Sequence, residues 1–355
     1  MIAEMRIDIE KTTSSRIAEL DPINLPFGRI FSDHMLVADY SGNEWHSAGI
    51  IPYGKIEISP SMSALHYGQT IFEGLKADKN DQGETLLFRP LENLKRMNES
   101  AIRMAMPTIP ENLFMEGLIQ LLRLDKDWIL NEDGFSLYIR PVMFSTDEAL
   151  GVKISEKYKF VILTSPVGPY YREPVNVLIE THYTRACEGG IGFAKAAGNY
   201  AAALYPTKLA QEKGYQQLIW TDSKEHKYIE ESGVMNVMFV IDDVLITPDP
   251  ASGTILYGKT RDSLLTIARD IGIKVEERKV SVDEIINALE KGKLQEAFGT
   301  GTAATVAPIK MIGYKDKKYP IEIKENSLSS KLRKELIDIR KGRTKDKYGW
   351  VIKVS

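Results

Sequence analysis

Cysteine is almost missing from this 355-residue chain, where Cys187 stands alone. A single thiol cannot close an intrachain disulfide, so the fold is not stapled, and a reducing, cytoplasmic setting is expected. Cys187 reads as a small half-buried residue rather than a nucleophile. Histidine is scarce too: there are five, and no His/Cys/Asp/Glu group has metal-ligand spacing, so no metal is expected. A surplus of one charge is also missing. Lys and Arg number 46 against 49 Asp and Glu, a net charge of -3, which gives no electrostatic reason to expect nucleic acid or an acidic membrane as partner. No apolar run approaches the roughly 20 residues of a membrane span. The opening residues MIAEMRIDIEKTTSSRIAEL carry acids and no apolar core, unlike a signal or transit peptide. What is present, 43% apolar and 27% charged residues, is an ordinary globular composition long enough for two cores.

The first half mixes strands and helices. Arg29–Ala38, Glu84–Phe88 and Ser136–Met143 are rich in β-branched or aromatic residues, while Leu91–Ala105 and Glu111–Trp128 carry apolar residues at helical spacing. Pro107 and Pro110 punctuate the gap between the helices. The run FVIL in Lys159–Ser165 predicts a strand buried on both faces. Pro166, Gly168, Pro169 and Pro174 then mark a linker, which places a small N-terminal α/β domain at 1–167, the linker at 168–177 and a larger α+β domain at 178–355.

In the second half, strand Val175–Thr181 precedes a glycine-rich stretch, and a helix runs from about Ala201 to Glu212. Strand Gln217–Thr221 and a turn at Ser223–His226 follow, then Val237–Ile246, broken at Asp242–Asp243 by short acids that suit a hairpin. Thr260–Ile271 is an amphipathic helix stopped at Gly272, and Ser281–Glu284 has capping-box spacing for a helix that Gly292 closes. The Lys/Arg-rich tail from Ser330 reads as an exposed helix. Strands and helices intermix without strict βαβ alternation, so the fold class is α+β.

Four stretches could carry chemistry. In GGIGFAKAAGNY (Gly189–Tyr200) a lysine lies among four glycines, where small residues let backbone and a bulky ligand approach closely. A lysine in confined apolar surroundings gives up its proton more readily and becomes the neutral amine that Schiff-base chemistry needs. Taken alone, the stretch reads first as a glycine-rich surface loop. FGTGTAAT (Phe298–Thr305) offers small residues, hydroxyls and backbone N–H groups for phosphate or carboxylate, but no Walker lysine. Gly258–Lys259–Thr260 opens a helix whose first-turn N–H groups suit an anion. Glu230–Glu231 precedes a strand; such acids are usually solvated, unless one is buried against a cationic ring nitrogen.

Together these stretches resemble the branched-chain amino acid aminotransferases, within the fold-type IV pyridoxal-phosphate enzymes. The likeness is carried in order by FGRIFSDHML (Phe27–Leu36), LHYGQTIFEGLKA (Leu65–Ala77), FRPLENLKRM (Phe88–Met97), SLYIRPV (Ser136–Val142) and SPVGPYY (Ser165–Tyr171). It continues through KAAGNY (Lys195–Tyr200), EESGVMN (Glu230–Asn236), GKTRDSLL (Gly258–Leu265) and FGTGTAA (Phe298–Ala304).

The resemblance implies a two-domain fold-type IV architecture and pyridoxal 5'-phosphate as cofactor. Lys195 resembles the lysine that forms the Schiff base and shuttles the substrate proton. Glu231 resembles the carboxylate that keeps the ring nitrogen protonated, and Tyr200 the phenol on the ring oxygen. Arg96 is similar to the phosphate-binding arginine, with Asn236, Lys259, Thr260 and Thr302 completing the cofactor set. Tyr138, Thr302 and the N–H of Ala303 are implied to grip the substrate α-carboxylate. Phe27, Tyr67, Phe72 and Tyr170 are implied to line an apolar pocket, some of them across a homodimer interface. Arg140 would receive the distant carboxylate of 2-oxoglutarate or glutamate in the pocket that takes leucine, isoleucine or valine, in a ping-pong exchange. Core packing remains the simpler account of Phe27 or Phe72.

Val234 stands where many relatives have threonine, and Ala304 and Ala307 where mitochondrial relatives carry a CxxC pair, so no thiol switch is expected. The alternatives of the same fold are D-amino-acid aminotransferase and aminodeoxychorismate lyase; the SLYIRP strand and FEGLKA favour the branched-chain group.

Overall fold

The protein is described from a computed structural model that covers residues 6–354, apart from the side chain of Ser47. Its chain divides into two compact units: Met1–Tyr170 with Ala194–Ala197 and Ile339–Ser355, and Tyr171–Phe193 with Gly198–Asp338.

The first unit is built on a nine-stranded sheet. At its centre Ser136–Ser145 and Tyr158–Val167 pair antiparallel over their whole length, from Ser136 opposite Val167 to Ser145 opposite Tyr158. Three residues of the FVIL run are buried, Phe160 and Ile162 fully so, while Leu163 is half-buried. His34–Ser41 pairs with Tyr158–Val167 on one side and with Glu44–Pro52 on the other. Leu75–Lys79 lies against Ser136–Ser145 on the opposite flank and is followed by Thr85–Phe88. Helix Glu111–Leu124 packs on the His34–Ser41 strand. Gly117 makes that approach possible, because a Cβ there would meet Leu36 Cδ2 at 2.6 Å.

The second unit has a ten-stranded sheet whose pairings close on themselves. Val175–Ile179, Gln217–Thr221, Tyr228–Ser232, Met235–Ile241, Leu294–Gly301 and Thr305–Tyr314 form a ring, because Tyr228–Ser232 bonds both Gln217–Thr221 and Met235–Ile241. Inside it Val177, Val237, Phe239, Ile309 and Ile312 are buried together. Closure leaves these six strands without open edges.

Local chemistry accounts for several boundaries. Ser281 Oγ accepts the Glu284 N–H at 3.1 Å and so caps helix Val282–Glu290, and Gly292 follows at φ 66°. Asp242 and Asp243 turn the hairpin at φ 47° and 62°, and helix Lys259–Asp270 stops before Gly272 at φ 80°.

The chain path departs from the expected boundaries in three places. Strand Val175–Ile179 begins inside the expected linker. Ala194–Ala197 returns to the first unit, where Ala196 bridges Ile71. The tail is not an exposed helix: Leu328–Arg340 buries Leu332, Leu336 and Ile339, and the chain ends in a strand, Val351–Val354, bonded to Thr85–Phe88. Apolar residues at helical spacing outvote the basic ones around them. Cys187 is likewise exposed, not half-buried. No helix among the described residues is long and apolar enough to cross a membrane.

That last strand supports the helix carrying Arg96. Trp350 stacks on Tyr348 at 4.1 Å, the Arg89 guanidinium lies 5.0 Å over its ring, and its carbonyl accepts the Arg89 N–H at 2.8 Å. Arg89 in turn opens helix Pro90–Arg103. Trp350→Ala is expected to cost about 3 kcal/mol of stability, read from urea unfolding of the full chain; a loss within error of zero would remove this role.

Candidate active site

The candidate residues are divided between the units, and each set has its own local geometry. In the first unit everything turns on Phe72, Glu73 and Gly74. The Phe72 N–H donates to the Lys195 carbonyl at 3.0 Å, and the Lys195 N–H donates to Ser100 Oγ at 2.9 Å. The Lys195 backbone is thus pinned to a strand on one side and a helix on the other. Its Nζ lies 4.9 Å over the Phe72 ring, and the Arg140 guanidinium lies 4.7 Å from the same ring.

Glu73 is fully buried. Its Oε1 accepts Arg96 Nε at 2.7 Å, and its Oε2 accepts Arg96 Nη2 at 2.8 Å, Asn93 Nδ2 at 2.8 Å and the Gly74 N–H at 3.0 Å. Burial pushes the Glu73 carboxyl up. The Arg96 charge and hydrogen bonds, then the Lys195 ammonium and Asn93, outweigh that and hold it below the ordinary carboxylate range. Gly74 leaves no room for a side chain, since a Cβ would strike the Tyr138 hydroxyl.

An aromatic group completes this set. Phe27 packs edge-on against Tyr138 at 5.0 Å and Tyr170 at 4.9 Å, and burial raises the Tyr170 hydroxyl above its usual value. Arg140 Nη2 donates to the Tyr138 hydroxyl at 3.1 Å, while its buried Nε has no hydrogen-bond partner among the described residues. Phe27, Phe72, Tyr138, Arg140, Tyr170, Lys195 and Arg96 therefore belong to one unit. Tyr67 stands apart at the end of a short helix, 42% exposed, with its hydroxyl on the Leu150 carbonyl.

In the second unit Glu231 Oε1 accepts the Leu256 N–H at 2.7 Å and Asn236 Nδ2 at 3.4 Å, and the Arg185 Nε lies 3.3 Å from Oε2. Asn236 also donates to the Leu256 carbonyl at 2.9 Å. Its Oδ1 presses on Gly258 so closely that no Cβ fits there. Gly258 then begins helix Lys259–Asp270 without a side-chain cap, with Thr260 buried in its first turn. The carboxylate, the amide and an anion-suited helix start form one continuous patch. Register sets Asn236 opposite Thr300, and strand Leu294–Gly301 leads to the turn holding Thr302 and Ala303. Thr305, β-branched, sits just past that turn at φ 61°, where its carbonyl accepts the Thr300 hydroxyl at 2.9 Å. Such strain is retained where surrounding structure fixes it, and it clusters at functional turns. Tyr200 lies half-buried on helix Ala197–Glu212.

The glycines before Lys195 serve the chain itself. A Cβ on Gly192 would sit 2.5 Å from the Thr254 carbonyl, and one on Gly190 2.9 Å from that of Cys187. Asn199 Nδ2 donates to the Ile191 carbonyl at 2.8 Å and ties this loop to the helix. Sequence reasoning missed Glu73, Asn93, Ser100 and Arg185. An acid between Phe72 and Gly74, at the break between strands Thr70–Phe72 and Leu75–Lys79, is a signal for the first; nothing in sequence joins Arg185 to Glu231.

Beside Glu231, Glu230 is a buried acid whose Oε2 has no hydrogen-bond partner among the described residues. Burial raises its carboxyl above the usual range, and Thr254 and Arg185 draw it back only in part. A carboxyl raised by folding contributes its full share of stability below its unfolded value of about 4.3. That share is lost as pH climbs through the folded value. Glu230→Gln should therefore gain stability relative to the parent as urea unfolding moves from pH 4 to neutrality; parallel curves would show that Glu230 is not held this way.

Residues 70–312 match the model of the amino-transferase class IV family. The chain is 46% identical over 98% of its length to the branched-chain-amino-acid transaminase 1 of Bacillus subtilis, covering 99% of it. It is 44% identical to a probable branched-chain-amino-acid aminotransferase of Staphylococcus epidermidis, over 98% of each chain. Among solved structures it is similar to the branched-chain amino acid aminotransferase of Escherichia coli. That match has a TM-score of 0.73 and 26% identity, over 90% of this chain and 99% of the other.

Proposed function

We infer that the chain, which belongs to the class IV amino-transferase family, is a branched-chain-amino-acid transaminase that moves the amino group of leucine, isoleucine or valine to 2-oxoglutarate, giving glutamate and branched-chain 2-oxo acids. Pyridoxal 5'-phosphate is its cofactor; when bound, it supplies the carbonyl that takes the substrate amine and a ring that accepts electrons. The residues present fit that group. The second unit offers a buried carboxylate for a ring nitrogen, and an uncapped helix start for a phosphate. The first offers an amine whose backbone is fixed on both sides and a buried arginine.

On this assignment Lys195 would hold the cofactor through Nζ and would move the proton of the substrate Cα. Glu231 keeps a proton at the ring nitrogen, with Asn236 and Arg185 fixing its two oxygens. Arg96, the Lys259–Thr260 turn and Thr302 bind phosphate, and Tyr200 donates to the ring oxygen. Tyr138, Thr302 and the Ala303 N–H orient the α-carboxylate. Phe27, Phe72 and Tyr170 exclude water around an aliphatic side chain.

The observation that carries the substrate choice is Arg140. Its guanidinium rests on the Phe72 and Tyr138 rings at 4.7 and 5.3 Å, with Nε left without a hydrogen-bond partner among the described residues. Such a cation can lie on the aromatic faces when leucine enters and turn its N–H groups to the far carboxylate of 2-oxoglutarate. Tyr67, whose hydroxyl donates to the carbonyl of exposed Leu150, is assigned to a homodimer contact. Sedimentation showing a single chain at micromolar concentration would remove that assignment.

Two further outcomes are expected. Borohydride reduction of the cofactor-loaded protein, followed by digestion, places the pyridoxyl group on the Lys195 peptide; a group elsewhere overturns the assignment. Arg140→Ala lowers kcat/KM for 2-oxoglutarate by about a hundredfold, roughly 2.7 kcal/mol, and that for leucine far less. Equal losses would show that Arg140 does not read the distal carboxylate.

A further inference from the structure

Glu73 is absent from every role assigned above, yet it is a fully buried carboxylate against an arginine of that site. It has no acid-base work to do. Its Oε2 accepts from Arg96 Nη2, Asn93 Nδ2 and the Gly74 N–H, and its Oε1 from Arg96 Nε, so all four of these donors belong to the protein's own frame. Its work is to hold what surrounds it.

What it holds is specific. Arg96 and Asn93 lie three residues apart on helix Pro90–Arg103, hence on one face, and both point at Glu73. The carboxylate takes the Nε and Nη2 edge of the guanidinium side-on, which fixes the plane of the group. The neighbours of Glu73 along the chain are equally committed. Phe72 bonds the Lys195 carbonyl and lies beneath its Nζ, and Gly74 lies against the Tyr138 hydroxyl.

We propose that Glu73 is a positioning residue for the phosphate end of the cofactor: by clamping Arg96 side-on, it aims the rest of the guanidinium at the phosphate and ties that aim to the backbone that carries Phe72. This rests on the assignment of Arg96 to phosphate. It differs from a role in stability alone, because a clamp on Arg96 acts on ligands that have a phosphate and not on ligands that lack one.

The experiment compares dissociation constants for pyridoxal 5'-phosphate and for pyridoxal, by fluorescence on the full chain stripped of cofactor. In Glu73→Gln the constant for pyridoxal 5'-phosphate is expected to rise about tenfold or more, and that for pyridoxal to stay within about twofold. Equal change in both, or no change in either, overturns the proposal, as does tighter phosphate-ligand binding by a freed Arg96. Glu73→Asp keeps the charge and draws it back by one methylene; it carries the same comparison, with the same expected selectivity, if Glu73→Gln does not yield folded protein. The parent chain separates this from the cofactor assignment. If the parent binds pyridoxal 5'-phosphate no better than pyridoxal, the phosphate assignment itself fails. If the parent discriminates and the Glu73 variant discriminates equally well, only the clamp fails.

Discussion

The side-on pair between Glu73 and Arg96 is the constraint on which the first unit's chemistry depends. Both groups are buried, and a buried charge without its partner is costly, so neither can be lost or moved alone. Because Glu73 shares its backbone with Phe72 and Gly74, the pair also sets where three other elements stand. The Lys195 segment is bonded to Phe72, Tyr138 is fitted against Gly74, and helix Pro90–Arg103 brings both Arg96 and Asn93 to one carboxylate. The role proposed for Lys195, holding a cofactor and moving a proton, gains from such a frame. The Lys195 backbone is fixed from a strand and from Ser100, while its four-carbon side chain keeps its reach.

The second unit solves a comparable problem with different parts. A ring of six strands has no free edge to give way, and Glu231 stands where two of those strands meet in register with Asn236. Arg185 provides the counter-charge, while the Leu256 N–H and Asn236 occupy the other oxygen. The same asparagine presses on Gly258, so the acid and the helix start move as one piece. Glycine is required at Gly258 by that contact, not by any need for a left-handed turn, since its φ is -68°.

The elements with strong local signals were legible in the sequence. The strand Gln217–Thr221, the capping box at Ser281 and the stop at Gly272 follow from composition and from backbone chemistry within a few residues. The candidate residues were named by resemblance, and Phe27, Phe72, Tyr138, Arg140 and Lys195 are joined by contacts in the fold. Partners far along the chain were not legible. Arg185 with Glu231, Val351–Val354 with Thr85–Phe88, and the return of Ala194–Ala197 to the first unit are set by tertiary pairing that no local pattern encodes. The glycines before Lys195 show the opposite error. They suggested room for a ligand, whereas two of them admit the chain's own carbonyls.

On the role proposed for Arg140, one pocket serves an aliphatic and an acidic substrate without two sites. A cation left in a nonpolar wall would normally penalise leucine, since burying an unpaired charge is unfavourable. Here the guanidinium is laid on two ring faces and bonded to the Tyr138 hydroxyl, so part of that penalty is offset before any substrate arrives. The offset is incomplete, because Nε remains without a partner among the described residues, and a carboxylate would supply the missing acceptor. Selectivity between the substrates then depends on how evenly the aromatic faces and an incoming carboxylate compete for one guanidinium. Phe72 comes from the tripeptide that also holds Lys195 and Arg96, so Arg140 and Lys195 are placed against one ring on one stretch of backbone.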